Sequence, residues 1–258
     1  MSKPSAPDPA PLTPAATLIL MRETSGAPEF LMLERAAVMA FAAGALVFPG
    51  GRVDPGDHAL AAEFTHDAAE IDEIAARIAA IRETIEESGI AVALSPSPPA
   101  HVIQEMRTAL AAGQSLGALL AVHGLHLEVE TLSQFARWIP RPTERRRFDT
   151  RFYIVAAPDD AREIADGGES VHAFWGTADQ ILSGAREGKH RLIFPTLCNL
   201  HRLAQFANLA DALADAAAYG HHIVTPVVKV RDGQEQLCIA TDAGYPFTGM
   251  PANMALRG

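Results

Sequence analysis

Arg82-Glu83-Thr84-Ile85-Glu86-Glu87-Ser88-Gly89-Ile90 is the stretch on which the reading of this chain turns. Its three glutamates stand at i, i+3 and i+4. At helical spacing those positions share one face, where like charges repel unless a cation joins them. A hard divalent ion is the fitting partner, because Mg²⁺ takes oxygen ligands and is commonly held by one or two carboxylates together with substrate phosphates. The segment therefore points to metal-assisted chemistry on a diphosphate. The competing reading is a solvated acidic helix end in which Arg82 pairs with Glu86. Upstream stands Phe48-Pro49-Gly50-Gly51-Arg52, a turn whose glycines let backbone come close to a metal or a phosphate.

Together the two segments resemble the signature of the Nudix hydrolases: a Gly, five residues, a Glu, seven residues, then Arg-Glu-aliphatic-any-Glu-Glu-any-Gly-aliphatic. Gly51 fits the first glycine and Arg82 to Ile90 the second half, but Asp57 stands where the first Glu would be. Gly51 to Arg82 spans 31 positions against 14 in the compact pattern, so about 17 residues are inserted inside it. That insertion is similar to the Nudix subgroup associated with peroxisomal coenzyme A diphosphatase, which also occurs in bacteria. The likeness extends to Trp138-Ile139-Pro140, to Arg146 through Phe152, and to Phe194-Pro195-Thr196-Leu197 with Asn199-Leu200.

The resemblance implies an α/β fold, a Nudix alpha-beta-alpha sandwich with a mixed sheet, here enlarged by helical insertions. It implies Glu83, Glu86 and Glu87 as ligands of catalytic Mg²⁺ or Mn²⁺. Arg82 would orient a carboxylate through its rigid donor fork rather than act as nucleophile, since guanidinium stays protonated. Asp57 is a weaker ligand candidate, one methylene shorter than Glu. Glu169, after Gly167-Gly168, is the candidate remote acid or base, with His172 nearby. Gly50, Gly51 and Arg52 with Arg146, Arg147 and Arg151 are the candidate substrate-binding residues, since Arg forks suit phosphates. These last three belong to a cationic cluster with Arg141 and Arg145. The competing role is an Arg-Asp-Arg network around Asp149 that never touches substrate. Trp138, Phe148 and Phe152 are candidates for an adenine pocket or for plain core. The implied reaction is hydrolysis of coenzyme A or an acyl derivative to 3′,5′-ADP and a 4′-phosphopantetheine product. ADP-ribose, NADH or another nucleoside diphosphate derivative is the alternative substrate, and a non-catalytic nucleotide-binding module the alternative class.

Composition sets the outer limits. The 258 residues are 48% hydrophobic, enough for a substantial core, yet only 6% aromatic, so Ala, Leu and Ile must fill most of it. A formal charge of −10 argues against a nucleic-acid partner, whose phosphate backbone would be repelled. A small anionic substrate is still allowed, because a metal reverses the sign locally. Cys198 and Cys238 make neither a disulfide framework nor a metal pair. Residues 1–12, rich in Pro and Ala, read as a flexible start without a targeting core. No apolar run approaches the roughly 20 residues of a membrane span. The expectation is a cytoplasmic protein with no membrane partner, and a homodimer is compatible with it.

Residues 13–258 read as one domain with an insertion at 57–80, an added helical region at 101–123 and a C-terminal extension. Ala15 to Met21 and Phe30 to Leu33 suggest a hairpin around Thr24 to Pro28. An interrupted helix is expected from about Ala59 to Ser88 with Gly89 as its cap. Ile71, Ile74 and Ile78 at helical spacing suggest that the insertion narrows a cleft or caps the core. Thr196 to Ala218 reads as one long amphipathic helix, and Ile223 to Val230 with Gln236 to Thr241 as a terminal hairpin.

Overall fold

The computed structural model describes residues 10–36, 43–142, 144, 147–159, 161–164, 170–231 and 233–255. The chain begins with β1 (Leu12–Arg22), β2 (Glu29–Arg35), β3 (Ala45–Val47) and β4 (Gly50–Arg52), followed by α1 (Pro55–Ala61) and α2 (Ala68–Ser88). After β5 (Leu94–Ser95) come α3 (Ala100–Ala111) and α4 (Leu116–His123), then β6 (His126–Leu127), β7 (Ser133–Trp138), β8 (Arg147–Ala156) and β9 (Ser170–Thr177). The last part holds α5 (Ala178–Arg186), β10 (Arg191–Leu192), α6 (Phe194–Leu203), α7 (Leu209–Tyr219), β11 (Ile223–Val224), β12 (Val227–Arg231), β13 (Gln234–Cys238) and β14 (Gly249–Pro251).

β1 organises the sheet because its apolar run is buried on both faces. Leu18 and Leu20 pack under α2, α3 and α4, while Ile19 and Met21 pack under α5, α6 and α7, as the period of two along a strand requires. Helices thus cover both faces of a mixed sheet, in agreement with the sandwich expected from sequence. β1 runs parallel to β8 from Leu12↔Arg147 to Met21↔Ala156. Its other edge is divided: Met21 and Arg22 pair with β2, whereas Ala15 to Thr17 pair with β4. That division seats the Gly50–Arg52 turn against the sheet, within reach of the end of α2.

α2 starts where Asp67 Oδ1 accepts the N–H groups of Ala69 and Glu70, both at 3.0 Å, and ends at Gly89 in the left-handed conformation, φ 69°. Ile74, Ile78, Ile81 and Ile85 form its buried stripe. The insertion therefore caps the core. None of residues 55–81 lines the cleft described below, which corrects the idea that the insertion narrows it. Glu73 instead ties the insertion to β8, accepting from Tyr153 Oη at 2.9 Å and pairing with Arg151 Nε at 3.2 Å.

The helix expected over Thr196 to Ala218 is two helices. α6 ends at Leu203, and Asn208 starts α7 by accepting the Asp211 N–H at 2.9 Å. The apolar spacing on both sides of the break hid it; an N-cap asparagine was the available signal. The terminal hairpin forms from Val227↔Cys238 to Arg231↔Gln234, while Ile223 and Val224 leave it to run parallel to β7. Among the described residues no helix is long and apolar enough to cross a membrane.

Candidate active site

The last turns of α2 and the β4 turn meet at one wall of a cleft of about 1080 Å³. Arg82 is the hub of that wall. Its side chain is only 9% exposed and makes a two-pronged contact with buried Asp57, Nε to Oδ1 at 3.0 Å and Nη2 to Oδ2 at 2.9 Å. Nη1 reaches Glu83 Oε1 at 2.9 Å and Glu86 Oε1 at 3.0 Å, and Nη2 also donates to the Arg52 carbonyl at 2.9 Å. Burial works to lower the pKa of this guanidinium, but the bond to Asp57, the charges of Glu83 and Asp57 and the bond to Glu86 outweigh it and hold the pKa above its ordinary value.

Asp57 is thereby occupied. Both its oxygens face Arg82, and Oδ2 also accepts the Asp54 N–H at 2.8 Å at the start of α1. Its shortness suits a buried partner for Arg82, and the structure does not bring it to the cleft lining. Thr84, at a position where the pattern has an aliphatic residue, is fully buried and donates its hydroxyl to Ala80 O at 2.7 Å.

Glu83, Glu86 and Glu87 all line the cleft, as do Gly50, Gly51, Arg52 and Arg82. Gly50 N–H donates to Glu87 Oε2 at 2.9 Å. A Cβ on Gly51 would overlap the Glu83 carboxylate, with Oε2 at 2.7 Å, so only glycine leaves room for that acid. Burial, opposed by Arg82 and aided by Glu86, pushes the Glu83 carboxyl up to about 7. The donor set of closely packed carboxylates, one of them held against its ionised form, fits a hard divalent ion. Among the described residues no three Asp, Glu, His or Cys side chains already close on one point. Such a cage is not what Mg²⁺ requires, since substrate phosphates and waters commonly complete its shell.

Another part of the cleft lining is aromatic. Phe148, Thr150 and Phe152 line it from one face of β8, joined by Trp138, Ile139, Phe194 and Leu237. Trp138 is fixed from behind: its Nε1–H donates to Tyr245 Oη at 3.1 Å, and Phe194 meets its ring edge-on at 6.1 Å. The Arg52 guanidinium, in the β4 turn, lies 5.8 Å from the Phe148 ring centre.

Alternation along β8 sends Arg147 and Arg151 to the other face. Arg147 donates to Ala10 O at 2.9 Å and Arg151 pairs with Glu73, so neither is brought to the cleft. Asp149 does not bridge them either; it pairs with Arg137 through two bonds. Arg146 and Glu169 lie outside the described residues. Arg141 does line the cleft, as do Arg35 and, on α3, Gln104, Arg107 and Thr108. Sequence reading missed the α3 contribution because nothing in Ala100–Ala111 identifies which of its faces meets the cleft. His172 stacks on Phe174 at 5.4 Å.

The model of the NUDT19 Nudix domain matches residues 60–203, more than half of the chain. The chain belongs to the Nudix family. A Caenorhabditis elegans protein named as a nudix hydrolase (number 7) is 28% identical over 199 residues, covering 74% of this chain. The chain spans 60% of the length of that curated relative. A crystal structure of a NUDIX hydrolase from Alicyclobacillus acidocaldarius superposes with a TM-score of 0.69 at 28% identity, over 80% of this chain and 96% of that one. The matched span contains the whole of Arg82 to Ile90. In this Nudix chain that segment is the carboxylate wall of the cleft.

Proposed function

We propose that the protein hydrolyses the diphosphate linkage of a nucleoside diphosphate derivative with Mg²⁺ or Mn²⁺, and that coenzyme A or acyl-coenzyme A is the preferred substrate. The observation that carries the reading is the mixed lining of one cleft, with Glu83, Glu86 and Glu87 and a set of aromatic side chains among its residues. A divalent ion bound by these carboxylates would offset charge on the diphosphate and on the leaving oxygen. Arg82 keeps the carboxylates in place from within the protein. Arg52 and Arg141, both at the cleft, would pair with phosphate oxygens. Half-buried Phe148 would offer the flat apolar surface that a nucleobase needs, whereas Trp138 and Phe152, 3% and 5% exposed, belong mainly to the adjoining core. Water then attacks one phosphorus in line with the departing oxygen.

The choice of coenzyme A rests on the long insertion and on the motifs at Trp138-Ile139-Pro140 and Phe194-Pro195-Thr196. The cleft, at about 1080 Å³, also has room for more than a nucleotide. A panel of coenzyme A, acetyl-coenzyme A, ADP-ribose, NADH and nucleoside triphosphates, with product masses resolved, tests it under Mg²⁺ and under Mn²⁺. Release of 3′,5′-ADP at the highest kcat/KM supports the proposal. Preference for ADP-ribose or NADH rejects coenzyme A and keeps the diphosphohydrolase reading.

A further inference from the structure

The C-terminal end of α2 is held by a side chain that belongs to neither segment of the Nudix pattern. A helix leaves its last carbonyls without helical partners. In α2 the Ile85 carbonyl is taken by Gly89 N–H at 2.9 Å, which leaves those of Glu86, Glu87 and Ser88. Arg107 of α3 takes two of them, Nε donating to Glu86 O at 2.9 Å and Nη2 to Glu87 O at 3.3 Å. Nη2 also donates to Ile164 O at 2.7 Å, and the Ile164 N–H in turn donates to Ser88 O at 2.8 Å. Arg107 is only 8% exposed, and a Cβ at Gly89 would stand 3.4 Å from its Nη1. The two backbone units that Arg107 grips are those of cleft glutamates.

We propose that Arg107 is a positioning residue for the carboxylate wall: it stops the last turn of α2 from fraying and so holds Glu86 and Glu87 in the geometry that binds metal. The physical basis is local. A cation at a helix C-terminus stabilises the last turn and satisfies its open carbonyls, and a shift of that turn carries both side chains with it. Outer partners of metal-binding side chains commonly contribute 10–100-fold to affinity or activity when removed. The inference rests on the proposed metal role of Glu86 and Glu87.

The test is Mn²⁺ binding to the substrate-free protein, followed by electron paramagnetic resonance, with amide hydrogen exchange and thermal melting alongside. Arg107→Met, which keeps the apolar stem and removes the donors, is compared with wild type, Glu87→Gln and Arg202→Met. Arg202 of α6 pairs with Asp215 of α7, on the other side of the sheet, and serves as a control for lost stability alone. Arg107→Met is expected to bind Mn²⁺ about tenfold more weakly, to exchange the Gly89 and Ile164 amides faster, and to lose about tenfold in kcat on coenzyme A. Arg202→Met should melt lower and keep its Mn²⁺ affinity. If Arg107→Met does not fold, Arg107→Lys decides, since one ammonium cannot serve three carbonyls in the same way and should still weaken Mn²⁺ at least about threefold. Wild-type affinity in a folded Arg107 variant, with Glu87→Gln impaired, overturns the positioning role. No Mn²⁺ binding by wild type, or full binding by Glu87→Gln, sinks the metal reading beneath it.

Discussion

Substituting Ala for Gly51 separates the site from the fold more cleanly than any other single change. The added methyl would overlap the Glu83 carboxylate, which must withdraw by about 1 Å to reach ordinary contact and strain its bond to Arg82, but the atoms displaced are the far end of a side chain and not backbone. The backbone at Gly51 is not in the left-handed region, so alanine brings no conformational strain there. Stability should change by less than about 1 kcal/mol, with kcat on coenzyme A at saturating Mg²⁺ falling about 10²-fold. A misplacement of about 1 Å can have that effect, and it corresponds to about 2.7 kcal/mol of lost transition-state stabilisation. Its neighbour behaves in the opposite way. A Cβ on Gly50 would overlap the Ala16 backbone oxygen and lie 2.7 Å from Thr17 Cα, and β1 cannot give way. Gly50→Ala should therefore melt well below wild type. Differential scanning fluorimetry and steady-state kinetics on the two variants read both effects. Wild-type turnover in Gly51→Ala would refute the claim that the Glu83 position matters to the chemistry.

Asp57→Asn takes from buried Arg82 the carboxylate that grips it at two points and leaves it Glu83 and Glu86, so the weakened charged hydrogen bonds should cost about 1–3 kcal/mol in urea denaturation; unchanged stability would contradict the hub role of Arg82. Arg141→Gln should raise KM several-fold, while Arg151→Gln, whose partner Glu73 lies away from the cleft, should alter KM little; the reverse ranking would return Arg151 to the substrate. The pH dependence follows from Glu83. Its folded pKa of about 7 stands above the ordinary 4.5, so without metal the folded state favours the protonated acid, and the group costs stability increasingly as pH rises from about 4.5 through about 7. A divalent ion relieves that cost, and the rise in Tm on adding Mg²⁺ should be larger at pH 8 than at pH 6; a larger rise at pH 6 would contradict it.

The sandwich and the helix bearing the glutamates were legible because both rest on local pattern. An apolar run such as Leu18 to Met21, or a glycine cap such as Gly89, acts over a few residues of sequence. The partners of the site were harder to read because they depend on which face of a strand or helix turns inward. Arg147 and Arg151 were legible as cations, but their placement follows from the β8 register, which puts Phe148, Thr150 and Phe152 on the cleft side instead. Asp57 reads from sequence as a short ligand position, because the partner that grips both its oxygens, Arg82, stands 25 residues on. Arg107 had no local signal at all, since the backbone carbonyls of Glu86, Glu87 and Ile164 that it bonds are at least 20 residues away in sequence.

The central claim is that the α2 glutamates bind the metal that hydrolysis requires, and Glu87→Gln tests it most directly. Glutamine keeps nearly the same volume and its amide oxygen can still accept the Gly50 N–H, so the fold should persist. Mn²⁺ affinity of the substrate-free protein and kcat on coenzyme A should both fall, kcat by about 10²-fold or more. Folded Glu87→Gln with wild-type metal affinity and wild-type turnover would contradict the account.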